Sequence, residues 1–303
     1  MTWFLLALVG PALWAAVNHI DKYLVSKYFK GGGIGALIIF SSLIGLFVLP
    51  IILAIHPNVI ALSPLQAAVQ TGGGILYVLS ILIYFHAIGR DEASIVVPLF
   101  QTIPVFTFLL GFVVLHEVLT ATQLIGAGIV VFGGIFLSLD LSLKKPKFKA
   151  AIFFMMLLAS FMMALSFLVF KAVAIETDYW TTAFWGYVGS VLTGAFFMVA
   201  IGSYRRQFVS VFKENNARIL SLNGINEALT VVGNLVFQYA SLMAPLALVW
   251  AVNGFQPMFV FIYGLIITRF IPQAGEESLE RKQLIQKVTA IVVIFIGTYF
   301  LHR

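Results

Sequence analysis

The sequence predicts an all-α membrane protein of ten transmembrane helices, arranged as two five-helix repeats of inverted topology. Three observations carry this. Of 303 residues, 61% are hydrophobic and 10% are charged, with mean hydropathy +1.04; a soluble domain keeps about 25% charged residues to face water. Apolar runs of about 20 residues, enough to cross a bilayer, follow one another between polar, Pro or Gly punctuation. Small-residue and proline landmarks of the first half return in the second at a fixed displacement.

In chain order the runs place spans near residues 3–22, 33–55, 65–88, 94–115, 120–141, 150–173, 180–202, 218–242, 245–268 and 284–301. Barrel strands would alternate over about ten residues; these runs are twice as long and do not alternate. The apolar start, Met1 to Val17, has neither a basic leader nor an A-x-A site, so it reads as the first span rather than a cleaved signal. After the fifth span, Leu143 to Ala150 holds Lys144, Lys145, Lys147 and Lys149 and reads as a joint. It divides the chain into a first repeat (1–143), a basic joint (144–149) and a second repeat (150–303).

Ala87, Pro104 and Gly111 recur as Ala240, Pro257 and Gly264, each 153 positions later. Gly126 and Gly133 correspond to Ala290 and Gly297 at 164, the additional 11 positions falling in the Pro272–Arg281 connection. Five spans is an odd number, so the second repeat must enter the membrane from the opposite face. Such inverted repeats hold a solute near the midplane and rock one unit against the other. A duplication kept only for packing would leave the same pattern.

Basic residues set the orientation. Connections one, three, five, seven and nine carry sixteen of the 18 Lys and Arg, leaving only Lys171 and Arg303 for the other side. The positive-inside rule then puts the odd connections in the cytoplasm and both termini outside. With no Cys, thiol chemistry and Cys-based metal sites are excluded. The five His form no H-x-x-x-H pair and no Walker sequence is present, so the reading includes neither metal, ATP nor any other cofactor. The net charge of +6 is strung along connections rather than gathered on one face, which is no nucleic-acid footprint.

The segment Tyr84 to Leu137 resembles the EamA family of the drug/metabolite transporter superfamily. Ala87, Pro104, Glu117, Gly126 and Gly133 fill that family's places for an Ala ending helix three, a Pro in helix four, a following Glu and a spaced Gly pair in helix five. The second half matches through Ala240, Pro257 and Gly297 but has no acid at the counterpart of Glu117. The resemblance implies ten helices, a central cavity lined largely by helices one, three, four, six, eight and nine, and movement of a small organic solute. Family members are usually drawn with cytoplasmic termini, opposite to the charge count.

Span eight carries the densest chemistry. On a helical wheel, Asn223, Asn226, Glu227, Thr230, Asn234, Gln238 and Ser241 fall within one stripe of about 120°. Hydrocarbon cannot satisfy these groups, so the stripe faces protein or a water-filled cavity. A carboxylate at the bilayer centre costs about 2.5–3.5 kcal/mol, so Glu227 needs a proton, a cationic solute group or Lys171 of span six as partner; it is the coupling candidate. By the 153 displacement, span three offers Gln70, Gly73, Gly74, Tyr77 and Tyr84 on the matching face, and Gly72–Gly73–Gly74 reads as close packing.

Spans four and nine add Gln101 and Thr102, and Trp250, Asn253 and Gln256, beside carbonyls that Pro104 and Pro257 would free. In span one, Asn18, His19, Asp21 and Lys22 read as an anchor at the cytoplasmic end, with Lys22 reaching water or Asp21. Lys171 is a further solute candidate, since two lysines near related ends would draw an anion. Glu117, just before the cap Thr120, reads as structural. The function expected is a secondary, non-ATP transporter of a small organic metabolite or drug-like solute, with protons as candidate coupling ion. It would act as a monomer or homodimer in a bacterial cytoplasmic (inner) membrane. An enzyme is not expected: no paired carboxylates, Ser–His set or metal cluster shares a depth. The alternatives are an intramembrane lipid-modifying enzyme and a non-transporting sensor or scaffold.

Overall fold

The computed structural model describes residues 2–28, 33–88, 99–138, 150–214, 217–270 and 281–301, and every regular element among them is helical. The α-helices are α1 (Thr2–Tyr28), α2 (Ile34–Leu43), α3 (Gly45–Ile55), α4 (Pro64–Ile88), α5 (Ile103–Val114), α6 (Ala121–Ser138) and α7 (Ala150–Glu176). They continue as α8 (Tyr179–Ala200), α9 (Gly202–Glu214), α10 (Ala217–Met243), α11 (Leu246–Ala251), α12 (Gln256–Phe270) and α13 (Arg281–Leu301). The basic joint, Arg90, Pro98 and most of the Pro272–Arg281 connection lie outside the described residues.

Starts are fixed by side chains that satisfy the first amides. Ser63 caps α4: Gln66 N donates to Ser63 Oγ at 3.3 Å, and that hydroxyl donates to Gln66 Oε1 at 2.8 Å. Thr120 and Gln123 form a reciprocal capping box for α6, and Asp178 Oδ1 accepts from Thr181 N at 2.9 Å to start α8. Six segments are long and apolar enough to cross a membrane: Thr2–Asp21, Ile34–Ile55, Pro64–Ala87, Ala150–Glu176, Tyr179–Ala200 and Leu246–Phe270. Phe100–Val114, Ala121–Phe136 and Ile285–Phe300 are apolar but shorter. Helix α10 is 27 residues long, about 40 Å at 1.5 Å per residue; its polar stripe keeps it below the apolarity of the six. Large apolar side chains such as Phe47, Val113 and Val199 point outward at 68–77% exposure, untenable in water over so wide a belt and natural against lipid. The protein is an integral, multi-pass membrane protein.

The main pairings join distant parts of the chain. Helix α1 lies along α10, α4 along α7 and across α8, and α6 along α13. Small residues allow the closest approaches. A Cβ on Gly74 would stand 2.0 Å from Gly186 O, and one on Gly189 2.1 Å from Thr71 O, so α4 and α8 meet backbone to backbone. A Cβ on Gly133 would lie 2.7 Å from Ile294, and one on Gly297 2.8 Å from Val130. That contact is reciprocal: 130 and 133 are carried onto 294 and 297 by the displacement of 164.

Two spans are broken at matching places. A 3-10 turn, Phe100–Thr102, precedes α5, and another, Val252–Phe255, precedes α12. In the first, Ile103 N donates to Phe100 O; in the second, Gln256 N donates to Asn253 O. The prolines, Pro104 and Pro257, then sit at the second helical position, where no amide is required. The carbonyls expected to be free for a solute are therefore engaged by i to i+3 bonds.

The stretch after α8 was expected to be a basic connection only. It is the helix α9, whose Tyr204 and Phe208 pack on Phe197 and Phe40 at centroid distances of 5.9 and 4.7 Å, while Arg205 and Arg206 stay exposed. Gln207 Oε1 accepts from Gly35 N at 2.9 Å, closing the start of α2. A contrast tests the α4–α8 crossing. Gly72→Ala meets open space and should leave thermal stability unchanged or slightly raised, whereas Gly74→Ala should lose more than the 1–3 kcal/mol typical of overpacking. Intrinsic-fluorescence melting of the detergent-solubilised protein measures both.

Candidate functional site

Helices α1, α2, α4, α7, α8 and α10 and the two broken spans enclose a cavity of about 210 Å³. It draws on the second halves of α1 and α4 and on the first halves of Ile34–Ile55 and α10, so it lies toward the odd-numbered connections. Spans two and seven contribute in addition to the six implied by resemblance, through Ser41, Ser42, Tyr187 and Ser190.

Of the predicted residues, Asn226, Glu227, Thr230, Asn234, Tyr77, Tyr84, Gln101, Trp250, Asn253 and Gln256 line this cavity. Glu227 is 7% exposed, and its Oε1 accepts from Ser41 Oγ at 2.6 Å. One residue earlier, Asn226 Nδ2 donates to Asp21 Oδ1 at 2.7 Å. Asn234 Nδ2 donates to Tyr77 Oη at 2.8 Å, joining α10 to α4 across the chamber. Thr230 Oγ1 turns back to Asn226 O at 3.0 Å.

Four predicted residues are outside the lining. Asn223 is 2% exposed and Gln70 3%; Gln70 lies at the α4–α8 crossing, its amide filling the space a Cβ on Gly186 would need. Gln238 is half-buried one turn beyond Asn234, its Oε1 without a partner among the described residues. Lys171 is held elsewhere: Nζ lies 2.5 Å from Glu117 Oε1 and donates to Ala244 O at 2.6 Å. The static partner considered for Glu227 is thus taken by Glu117.

Glu117 does not cap α6; Thr120 does. Its carboxylate reaches back over Gly111, where a Cβ would fall 2.7 Å from Oε2, and accepts from Leu246 N at 2.8 Å. The turn that brings it there passes through His116 at φ 54°. A carboxylate at a helix N-terminus is favoured by the helix dipole, so the Glu117–Lys171 latch ties α5, α7 and α11 together. Beneath it Trp14, Phe167, Phe237 and Trp250 form an aromatic floor, with Phe167–Trp250 at 4.9 Å and Trp14–Phe237 and Phe237–Trp250 at 5.1 Å. Floor and latch lie on the side of the cavity away from the odd connections.

Sequence reasoning missed Ser41 and Tyr187 and took Asn18 and Asp21 for an anchor; all four line the cavity. His19, in the same turn, bonds Val260 O at 3.0 Å, and the side chain of Lys22 lies outside the described residues. Polar residues inside strongly apolar spans were the signal for Ser41 and Ser42.

Residues 1–139 match the EamA-like transporter family. A protein of Methanocaldococcus jannaschii named Uncharacterized protein MJ1333.1 is 32% identical over 99 residues, 33% of this chain and 72% of that protein. The chain belongs to the EamA-like transporter family. A crystal structure, described no further than as that of a protein, superposes with TM-score 0.70 over 99% of this chain and 95% of its own at 10% identity, a likeness of fold alone.

The latch of this EamA-like transporter has a direct test. Lys171→Met strands a buried carboxylate, a loss of about 3–5 kcal/mol, and should lower the melting temperature sharply. The double variant Lys171→Met, Glu117→Gln should recover part of it, because an amide oxygen still accepts from Leu246 N. Equal melting of wild type and Lys171→Met would show that the pair contributes nothing.

Proposed function

We propose that this protein is a secondary carrier that moves a small organic solute by alternating access, built from ten crossings in two inverted repeats, 1–143 and 150–303. The six long apolar segments, the three shorter ones and α10 supply the crossings. Support for the repeat is the reciprocal α6–α13 contact and the pair of 3-10 breaks whose bonds, Ile103–Phe100 and Gln256–Asn253, coincide under the displacement of 153. The exchange of partners fits as well: α1 runs along α10 as α7 runs along α4.

The observation that carries the reading is an internal cavity that has Asp21, Glu227 and several amides and hydroxyls in its lining. A packed scaffold has no need of about 210 Å³ beside a carboxyl. In the cycle, solute enters from the odd-connection side and meets Glu227, Asn226, Thr230, Asn234, Tyr77, Tyr84, Gln101, Trp250, Asn253 and Gln256. The chamber then closes on that side, and parting of the aromatic floor and the Glu117–Lys171 latch opens the other. By the charge distribution the conformation described is open to the cytoplasm. Glu227 is the coupling or solute-orienting acid, and its donor Ser41 comes from a different helix.

Glu227→Gln keeps size and a hydrogen-bonding oxygen but removes the charge. It should abolish concentrative uptake in proteoliposomes and remove the dependence of uptake on a pH gradient, with insertion and melting preserved. Unchanged transport and unchanged gradient dependence would take Glu227 out of the mechanism. A C-terminal reporter that fluoresces only in the cytoplasm should stay dark; a bright one would reverse the orientation.

A further inference from the structure

We infer that the solute is a small organic ammonium ion with a flat or apolar body, an inference that rests on the carrier reading above. The chamber is walled by two carboxyls, Asp21 and Glu227, and among the described residues no Lys, Arg or His lines it. Nearby basic groups are already engaged: Lys171 by Glu117 and Ala244 O, His19 by Val260 O, and His86 by Leu82 O. Among the described lining residues, an anion in the chamber would meet two carboxyls and no cation. A cation meets two acceptors.

An ionised carboxylate offers about four lone-pair sites, yet among the described residues Asp21 and Glu227 receive one side-chain donor each, from Asn226 and Ser41. The N–H groups of an ammonium ion would fill sites that these donors leave.

The remaining wall is aromatic. Trp14, Tyr77, Tyr84, Phe100 and Trp250 line it, and aromatic rings attract cations and accommodate flat apolar bodies. At about 210 Å³ the chamber falls below the roughly 300–1,000 Å³ of sites for drug-sized ligands. A one-ring amine fits this size better than a polycyclic dye.

The test uses the full chain in nanodiscs and three probes of one shape: phenethylamine, its neutral counterpart 2-phenylethanol, and the carboxylate 3-phenylpropanoate. Binding is read by the change in intrinsic tryptophan fluorescence at neutral pH, two of the five tryptophans, Trp14 and Trp250, lining the chamber. Phenethylamine should saturate and bind at least about tenfold tighter than either analogue, and Glu227→Gln or Asp21→Asn should weaken it by about tenfold or more. If either variant fails to fold, the ranking of the three probes on wild type decides alone. The inference is overturned if phenethylamine shows no saturable binding, if an analogue binds as tightly, or if both folded variants keep wild-type affinity. Proteoliposome flux separates the two readings. Amine that binds without being moved would overturn the carrier reading and leave the ligand class standing. Transport of another solute that phenethylamine neither binds beside nor competes with would do the reverse.

Discussion

Hydrocarbon offers no hydrogen bonds, so each polar side chain on a membrane helix must find its partner inside the protein or in water held by it. Helix α10 concentrates that demand. Its seven-residue stripe determines which elements can surround it, and the answers are visible one by one: Asp21 from α1 for Asn226, Ser41 from α2 for Glu227, Tyr77 from α4 for Asn234. Three helices are drawn to α10 by hydrogen bonds no lipid could replace. The space left between them carries these polar groups within a largely apolar and aromatic lining.

The other end of the molecule solves the same problem by exclusion. There the spans close on aromatic rings and on glycine contacts, and two buried charges, Glu117 and Lys171, are tied to each other and to the backbone around Pro245. A buried ion pair of this kind contributes little net stability over an apolar replacement but penalises loss of either member. Such a contact suits a joint that must be definite when closed and separable as a unit. The contrast between a hydrogen-bonded, open end and a dry, latched end gives the bundle its polarity.

Much of this was legible in the residues. Continuous apolar runs of bilayer length located the helices, and Pro104 and Pro257 marked the two spans that break. The wheel of α10 picked out Asn226, Glu227, Thr230 and Asn234 because a 3.6-residue period and the chemistry of lipid together leave few ways to face them. The stripe's ends, Asn223 and Gln238, were less well read: periodicity gives direction but not depth, and the chamber spans only part of the helix. The Glu117–Lys171 contact was not legible, since its members are 54 positions apart and nothing local pairs them. Helix α9 was readable in principle from Tyr204 and Phe208 one turn apart, but a cluster of Arg and Lys made it read as a connection. Ser41 in the most apolar span gave too faint a signal beside its neighbours.

The chain contains no Cys, so a single introduced thiol reports on one place without background. Thr230→Cys stands in the chamber and Ala247→Cys in the sealed end. With a membrane-impermeant maleimide supplied on the side of the odd-numbered connections, the account requires Thr230→Cys to be labelled and Ala247→Cys to be protected. Protection of both would mean a dry centre, and labelling of both an open channel; either result contradicts a chamber open at one end.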